Sequence, residues 1–128
     1  MVLKKETTLF NRDEEGNLIP RTVSLVVDKD DPFQMELEGE EITITPMPRG
    51  KVQRIFKSAV SDSENNDVDI KIITEHCVEP SYTVDDVEFL KPSVVSAIVN
   101  TILFESGIDV SGSKTKGVEK AEDEFAKN

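Results

Sequence analysis

The chain of 128 residues has no tryptophan, one tyrosine, one histidine, one cysteine and few cations for its number of carboxylates. Each shortage excludes something. The single cysteine, Cys77, cannot close an intrachain disulfide, which fits a reducing compartment. Lysine and arginine number 15 against 26 aspartates and glutamates, a formal charge of -11. In the last stretch, Lys114, Lys116, Lys120 and Lys127 balance Glu119, Glu122, Asp123 and Glu124, so the excess lies in residues 1 to 111. Such a surface repels a phosphate backbone, since nucleic-acid affinity rests on cation contacts. Neither nucleic acid nor an acidic membrane is therefore expected as a partner; basic or apolar protein segments are.

Long apolar runs are also missing. The nearest approach, Val94 to Phe104, is broken by Ser96, Asn100 and Thr101 and falls well short of the ~20 residues a bilayer demands. Met1-Val-Leu-Lys-Lys-Glu6 has no apolar stretch after its charges and does not read as a secretory signal. The expectation is one cytoplasmic domain with a thin but adequate core.

What is present is ordered along the chain. Residues 1–20 read as a polar, irregular arm with a turn-like cluster at Asp13–Asn17 and apolar anchors at Leu9-Phe10 and Leu18-Ile19. Arg21–Val27 is β-branched and reads as a strand. Phe33–Glu38 alternates, which predicts a second strand with Phe33, Met35 and Leu37 on one face. Gly39-Glu40 would turn it into a third strand at Ile42–Thr45. Such a unit needs helices to cover its apolar face.

The helices follow. Pro48 suits a first helical turn, and Val52, Ile55, Phe56, Ala59 and Val60 recur at helical spacing over 48–60. Ser61-Asp-Ser-Glu64 has the form of a capping box. Val68, Ile72, Ile73 and Cys77 form the stripe of a helix that Glu79-Pro80 stops. Thr83-Val-Asp-Asp86 caps a short helix to Phe89-Leu90. Pro92 opens the last helix, where Val94, Val95, Ile98, Val99, Ile102 and Leu103 make a one-sided stripe and Gly107 ends it. The predicted architecture is α+β: a small N-terminal antiparallel unit of two or three strands on a C-terminal bundle of three to four helices. Residues 1–20 are the arm, 21–110 a single domain, and 111–128 a tail in which Val118, Ala121, Phe125 and Ala126 share one helical face.

Groups for chemistry are scarce. His76 and Cys77 are adjacent, so on a helix their side chains diverge by about 100° and make neither a metal triad nor a nucleophile pair. The expectation is a core Cys77 and a boundary His76. Asp62–Asp69 resembles a calcium loop but has Asp67 and Ile73 where glycine and glutamate belong. Gly50-Lys51 lacks the rest of a phosphate loop. The carboxylates of Asp28, Asp30 and Asp31, and of Glu36, Glu38, Glu40 and Glu41, read either as a solvated face or as a docking patch for a basic partner. Arg49, Lys51, Arg54 and Lys57 form one basic island, for charge balance or for self-association against an acidic strand edge. No catalytic residue, metal or cofactor is expected, and the chain does not read as an enzyme.

Three segments carry a resemblance. Ile42-Thr-Ile-Thr-Pro-Met-Pro-Arg49 runs from β structure into a helix. Ile70-Lys-Ile-Ile-Thr-Glu-His-Cys-Val-Glu-Pro80 is a helix closed by proline. Thr83-Val-Asp-Asp-Val-Glu-Phe-Leu90 precedes Lys91-Pro-Ser-Val-Val-Ser-Ala-Ile-Val-Asn-Thr-Ile-Leu-Phe-Glu-Ser-Gly107. Over roughly residues 40 to 108 this resembles the tail assembly chaperones of long-tailed bacteriophages and Gram-positive prophages. The resemblance implies a protein that coats the helical tape measure protein, keeps it soluble and helps recruit tail tube subunits. It implies action in the bacterial host cytoplasm and absence from the mature virion. Members are often made in two lengths by translational frameshifting, and Ala126-Lys127-Asn128 suits an A-rich slippery codon run. Contact surfaces are expected around Val52, Phe56, Phe89 and Phe104, with Arg49, Arg54 and Lys57 as the basic contribution. The competing expectations are another tail component, such as a completion or connector protein, and an acidic regulator that masks a basic protein.

Overall fold

The computed structural model describes residues 2–61 and 68–108. Along the chain it places α1 (Lys5–Thr8), β1 (Arg21–Ser24), α2 (Pro32–Met35), β2 (Glu41–Ile44), α3 (Arg49–Ser61), α4 (Val68–His76), β3 (Cys77–Glu79), α5 (Val84–Glu88) and α6 (Pro92–Glu105). The strands make one antiparallel sheet in the order β1-β2-β3. The α+β architecture is the expected one, but its strands are not all the expected ones.

β1 and β2 pair in the register Arg21↔Ile44, Thr22↔Thr43, Val23↔Ile42 and Ser24↔Glu41. Alternation sends Val23, Ile42 and Ile44 toward the helices and leaves Thr22, Ser24, Glu41 and Thr43 on the outer face. There the Thr22 and Thr43 hydroxyls hydrogen-bond at 2.8 Å. β1 is shorter than Arg21–Val27 because later backbone donors find side-chain acceptors. The Val26 amide donates to Thr101 Oγ1 of α6 at 2.8 Å, and the Asp28 amide to Gln34 Oε1 of α2 at 2.8 Å.

The expected strand Phe33–Glu38 is absent. Asp31 accepts from the Phe33 amide at 2.9 Å and caps α2, and Pro32 occupies its first turn. The chain continues in tight turns through Leu37 N to Gln34 O (2.8 Å) and Glu40 N to Leu37 O (3.0 Å), with Gly39 at φ +89°. Local capping thus overrides the alternating pattern. The consequence is inverted burial: Gln34 is inside and Phe33 is exposed. With this strand gone, Gly39-Glu40 is not a hairpin turn.

The third strand comes from the helical half. Val68, Ile72 and Ile73 are buried on α4 as expected, but the helix ends at His76 and the backbone becomes extended at Cys77. β3 then pairs beside β2, with Thr43↔Glu79 and Ile44↔Cys77 around an irregularity, and the Thr45 amide donates to the His76 carbonyl at 2.9 Å. Cys77 is in the core, as expected, but from a strand.

α5 begins with the expected capping box: the Asp86 amide donates to Thr83 Oγ1 (3.1 Å) and the Thr83 amide to Asp86 Oδ2 (2.9 Å). α6 is the central element. Seven consecutive residues, Ala97 to Leu103, are buried, so every face of this stretch is covered, whereas Val94 and Val95 are only half-buried. The expected apolar stripe is buried at Ile98, Val99, Ile102 and Leu103, and burial extends beyond it to Asn100 and Thr101, because α4, α2 and the β1 extension all pack on this helix. Its C-terminus closes in a Schellman motif, with Ile108 N donating to Leu103 O at 2.9 Å, Gly107 N to Phe104 O at 3.0 Å, and Gly107 at φ +91°. Arg21 adds its guanidinium, which binds both the Glu105 carbonyl (3.0 Å) and carboxylate (3.2 Å) at the negative end of the helix.

The arm has more order than an irregular segment. Asp13 Oδ1 accepts from the Glu15 and Asn17 amides, each at 2.9 Å, in a turn completed by Gly16 at φ +88°. Arg12 and Leu18 bridge across it. Of the expected anchors, Phe10 and Leu18 are half-buried, while Leu9 and Ile19 are exposed. Glu64 of the Ser61–Glu64 capping box, most of the calcium-like loop and the tail 111–128 lie outside the described residues.

Candidate functional site

The residues expected to meet a partner separate into three places. Val52 and Phe56 face inward from α3 and are core side chains, 2% and 0% exposed, so they are not on the surface of this fold. Phe89 and Phe104 are on the surface, 91% and 54% exposed. Phe89 is the C-cap of α5, before α6 begins, and Phe104 lies in the last turn of α6, whose 14 residues rise about 21 Å. The two belong to different elements. Phe33 on α2, 68% exposed, is a third exposed phenylalanine that the alternating-strand reading placed on the strand's apolar face.

Arg49, Arg54 and Lys57 are exposed along α3. The Arg49 guanidinium donates to Gln53 Oε1 at 3.2 Å. The Arg54 guanidinium folds back over Gly50, 3.5 Å from where a Cβ would sit. Lys51, in the same island, is tied to Glu75 of α4 by an ion pair. Beside the start of α3, the arm leaves a cleft of about 360 Å³ lined by Thr8, Leu9, Phe10, Arg12, Leu18, Pro48 and Arg49. The sequence pattern did not reveal this site, because it forms between segments thirty residues apart.

The polar groups of β3 and its approach were the remaining candidates. His76, expected at the boundary, is 5% exposed. Its Nδ1 lies 3.2 Å from both the Thr45 carbonyl and the Thr45 hydroxyl. A proton on Nδ1 donating to the carbonyl leaves Nε2 as a buried acceptor with no partner among the described residues. Burial, and then the Lys51 ammonium, hold the imidazole below the usual 6.5; the Thr45 bond and Glu75 act the other way without prevailing. The ring is therefore neutral at physiological pH. Cys77 donates its thiol to the Pro80 carbonyl at 3.2 Å, and burial pushes it up to about 11. A thiol so held is scarcely ionised at neutral pH and is a poor nucleophile. Burial also raises Tyr82, with Cys77 and Asp86 adding to it.

Among the described residues no group of three or more histidine, cysteine or carboxylate side chains is placed to hold a metal ion. No helix among them is long and apolar enough to cross a membrane. No family model, curated protein or solved structure matches the chain. What the arrangement offers is surface: separated phenylalanines, an arginine-edged cleft and a strongly acidic remainder.

Proposed function

We propose that the chain is a protein-binding module of the tail assembly chaperone type, which holds the tape measure protein soluble and helps recruit tail tube subunits. The observation that carries the reading is the set of exposed phenylalanines, Phe33, Phe89 and Phe104, spread over a surface of charge -11. Isolated aromatic anchors in an otherwise charged, soluble surface suit reversible contact with a long amphipathic helix along several of its turns. The acidic remainder would keep the complex dispersed. The resemblance over residues 40 to 108 supplies the identity of the helix; the exposed anchors supply the means. The site of action in this reading is the host cytoplasm.

Co-expression with a tape measure fragment tests it. The pair is expected to co-purify, and replacing Phe33, Phe89 and Phe104 together by serine is expected to abolish the association while the fold persists. Each anchor at the centre of a contact would contribute ~2 kcal/mol, or about thirtyfold in affinity. A wild-type chain that does not associate with the fragment would overturn the proposal. The charge of -11 favours one alternative, an acidic regulator masking a basic protein. That reading requires binding that weakens steeply with salt and is indifferent to the phenylalanines.

A further inference from the structure

The cleft between the arm and the start of α3 has an apolar floor and a cationic edge in a protein that is otherwise acidic. Leu9, Phe10, Leu18 and Pro48 supply the floor, and Arg12 and Arg49 the edge. Neither arginine has a carboxylate at ion-pair distance among the described residues. A second cleft shares Leu9, Phe10 and Arg12 with the first but lacks Arg49 and adds the carboxylates of Glu6, Asp13 and Glu14, whereas no carboxylate lines the first. An acidic, partly apolar segment would be attracted to the first and repelled by the second.

The chain itself holds such a segment. Val118-Glu-Lys-Ala-Glu-Asp-Glu-Phe125 has four carboxylates against one lysine, and Val118, Ala121 and Phe125 recur at i, i+3 and i+7, one face of a helix. The described chain ends near the cleft. Ser106 Oγ accepts from the Met47 amide at 2.8 Å, and Ile108 is buried just after it. Met47 lies between Pro46 and Pro48, and Pro48 lines the cleft. The described chain thus ends beside the cleft. From Asp109 to Val118 is ten residues, able to span up to about 33 Å. Tethering so near gives an effective concentration on the order of millimolar, so even weak complementarity is sufficient.

We propose that the segment Val118–Phe125 docks in this cleft of its own chain, with Phe125 and Val118 on the apolar floor and its carboxylates against Arg12 and Arg49. The docked tail covers a cleft with an apolar floor and two arginines that have no carboxylate partner among the described residues. Any acidic partner segment must then displace it. The proposal stands independently of the chaperone reading.

A nitroxide attached at Ala126→Cys in the full chain tests it by paramagnetic broadening; Cys77, buried and un-ionised, is not labelled under mild conditions. The expected result is selective loss of the Leu9, Phe10, Leu18 and Arg49 amide signals, with Val84 and Phe89 unaffected. The loss should be independent of protein concentration. It should disappear with Phe125→Ser, disappear with Arg12→Glu/Arg49→Glu, and weaken toward ~1 M salt, where screening acts within ~3 Å. Unchanged signals from the core amides verify the fold of each variant. Absence of broadening at the cleft overturns the proposal, as does broadening that survives both substitutions. Broadening seen only when labelled and unlabelled chains are mixed also overturns it, since the occupant is then a second copy.

Discussion

Thr101 is the residue whose replacement tests the architecture most sharply. It is fully buried on α6, and its hydroxyl serves two segments: it donates to the Ala97 carbonyl at 2.7 Å and accepts from the Val26 amide at 2.8 Å. Thr101→Val keeps the volume and the branching at Cβ and removes only the hydroxyl. The Ala97 carbonyl remains within the α6 hydrogen-bond ladder, but the Val26 N–H, half-buried, loses its acceptor. Leaving such a donor unsatisfied costs ~1–3 kcal/mol. Thr101→Ser keeps the hydroxyl and removes one methyl group, a loss of ~1 kcal/mol. A mid-range cost of ~2 kcal/mol lowers the melting midpoint of a chain this size by about 8 °C. Urea unfolding measures the stability of both variants, and amide hydrogen exchange reads Val26 directly. Valine is expected to abolish protection at Val26, and serine to retain it. A Thr101→Val protein as stable as the wild type, with Val26 still protected, would refute the argument that this hydroxyl joins β1 to the helical layer.

Three further outcomes are expected. Phe56→Ala removes a fully buried ring between α3 and the core and should cost ~3–5 kcal/mol in urea unfolding, in contrast to a surface contact residue, for which ~0.5 kcal/mol is usual. His76 has a folded-state pKa below 6.5, so the unfolded chain binds its proton first as pH falls; the stability it contributes is whole above 6.5 and is lost as pH drops from there through the folded pKa. Urea midpoints followed from pH 8 to pH 5 should therefore fall less in His76→Gln than in the wild type, and an NMR titration of the ring should give a midpoint under 6.5. Cys77 should resist alkylation at pH 8 in the folded chain and react at the rate of an ordinary thiol in urea; equal rates in both states would contradict its burial and its pKa of about 11.

The helical half of the chain was legible because its signals are local. Thr83 and Asp86 are three residues apart and cap α5 whatever surrounds them, and Gly107 adopts the positive φ that its position after a helix demands. The β half was legible only in part. Phe33, Met35 and Leu37 alternate like a strand, yet Asp31-Pro32 starts a helical turn there, and a two-residue capping preference decided against a six-residue periodicity. Cys77–Glu79 was hidden for the opposite reason: its apolar spacing continued α4, and only the vacant edge of β2 makes it a strand. The candidate surface divided likewise. An apolar residue at helical spacing reads the same whether it faces the core, as Val52 and Phe56 do, or solvent, as Phe104 does.

The sequence by itself determined the acidic surface, the impossibility of a disulfide within these residues, the α+β class and the positions of the main helices, since charge, cysteine count and caps depend on residue identity and near neighbours. The tertiary structure decided which strand completes the sheet, that the stretch Ala97–Leu103 of α6 is covered on every side, that Gln34 and His76 go inside while Phe33 and Phe89 stay out, and that an arginine-edged cleft exists at all. The physical reason is range. Those outcomes depend on which backbone donors and apolar faces remain unmet after distant segments have packed, as when Thr101 meets Val26 and Arg21 meets Glu105.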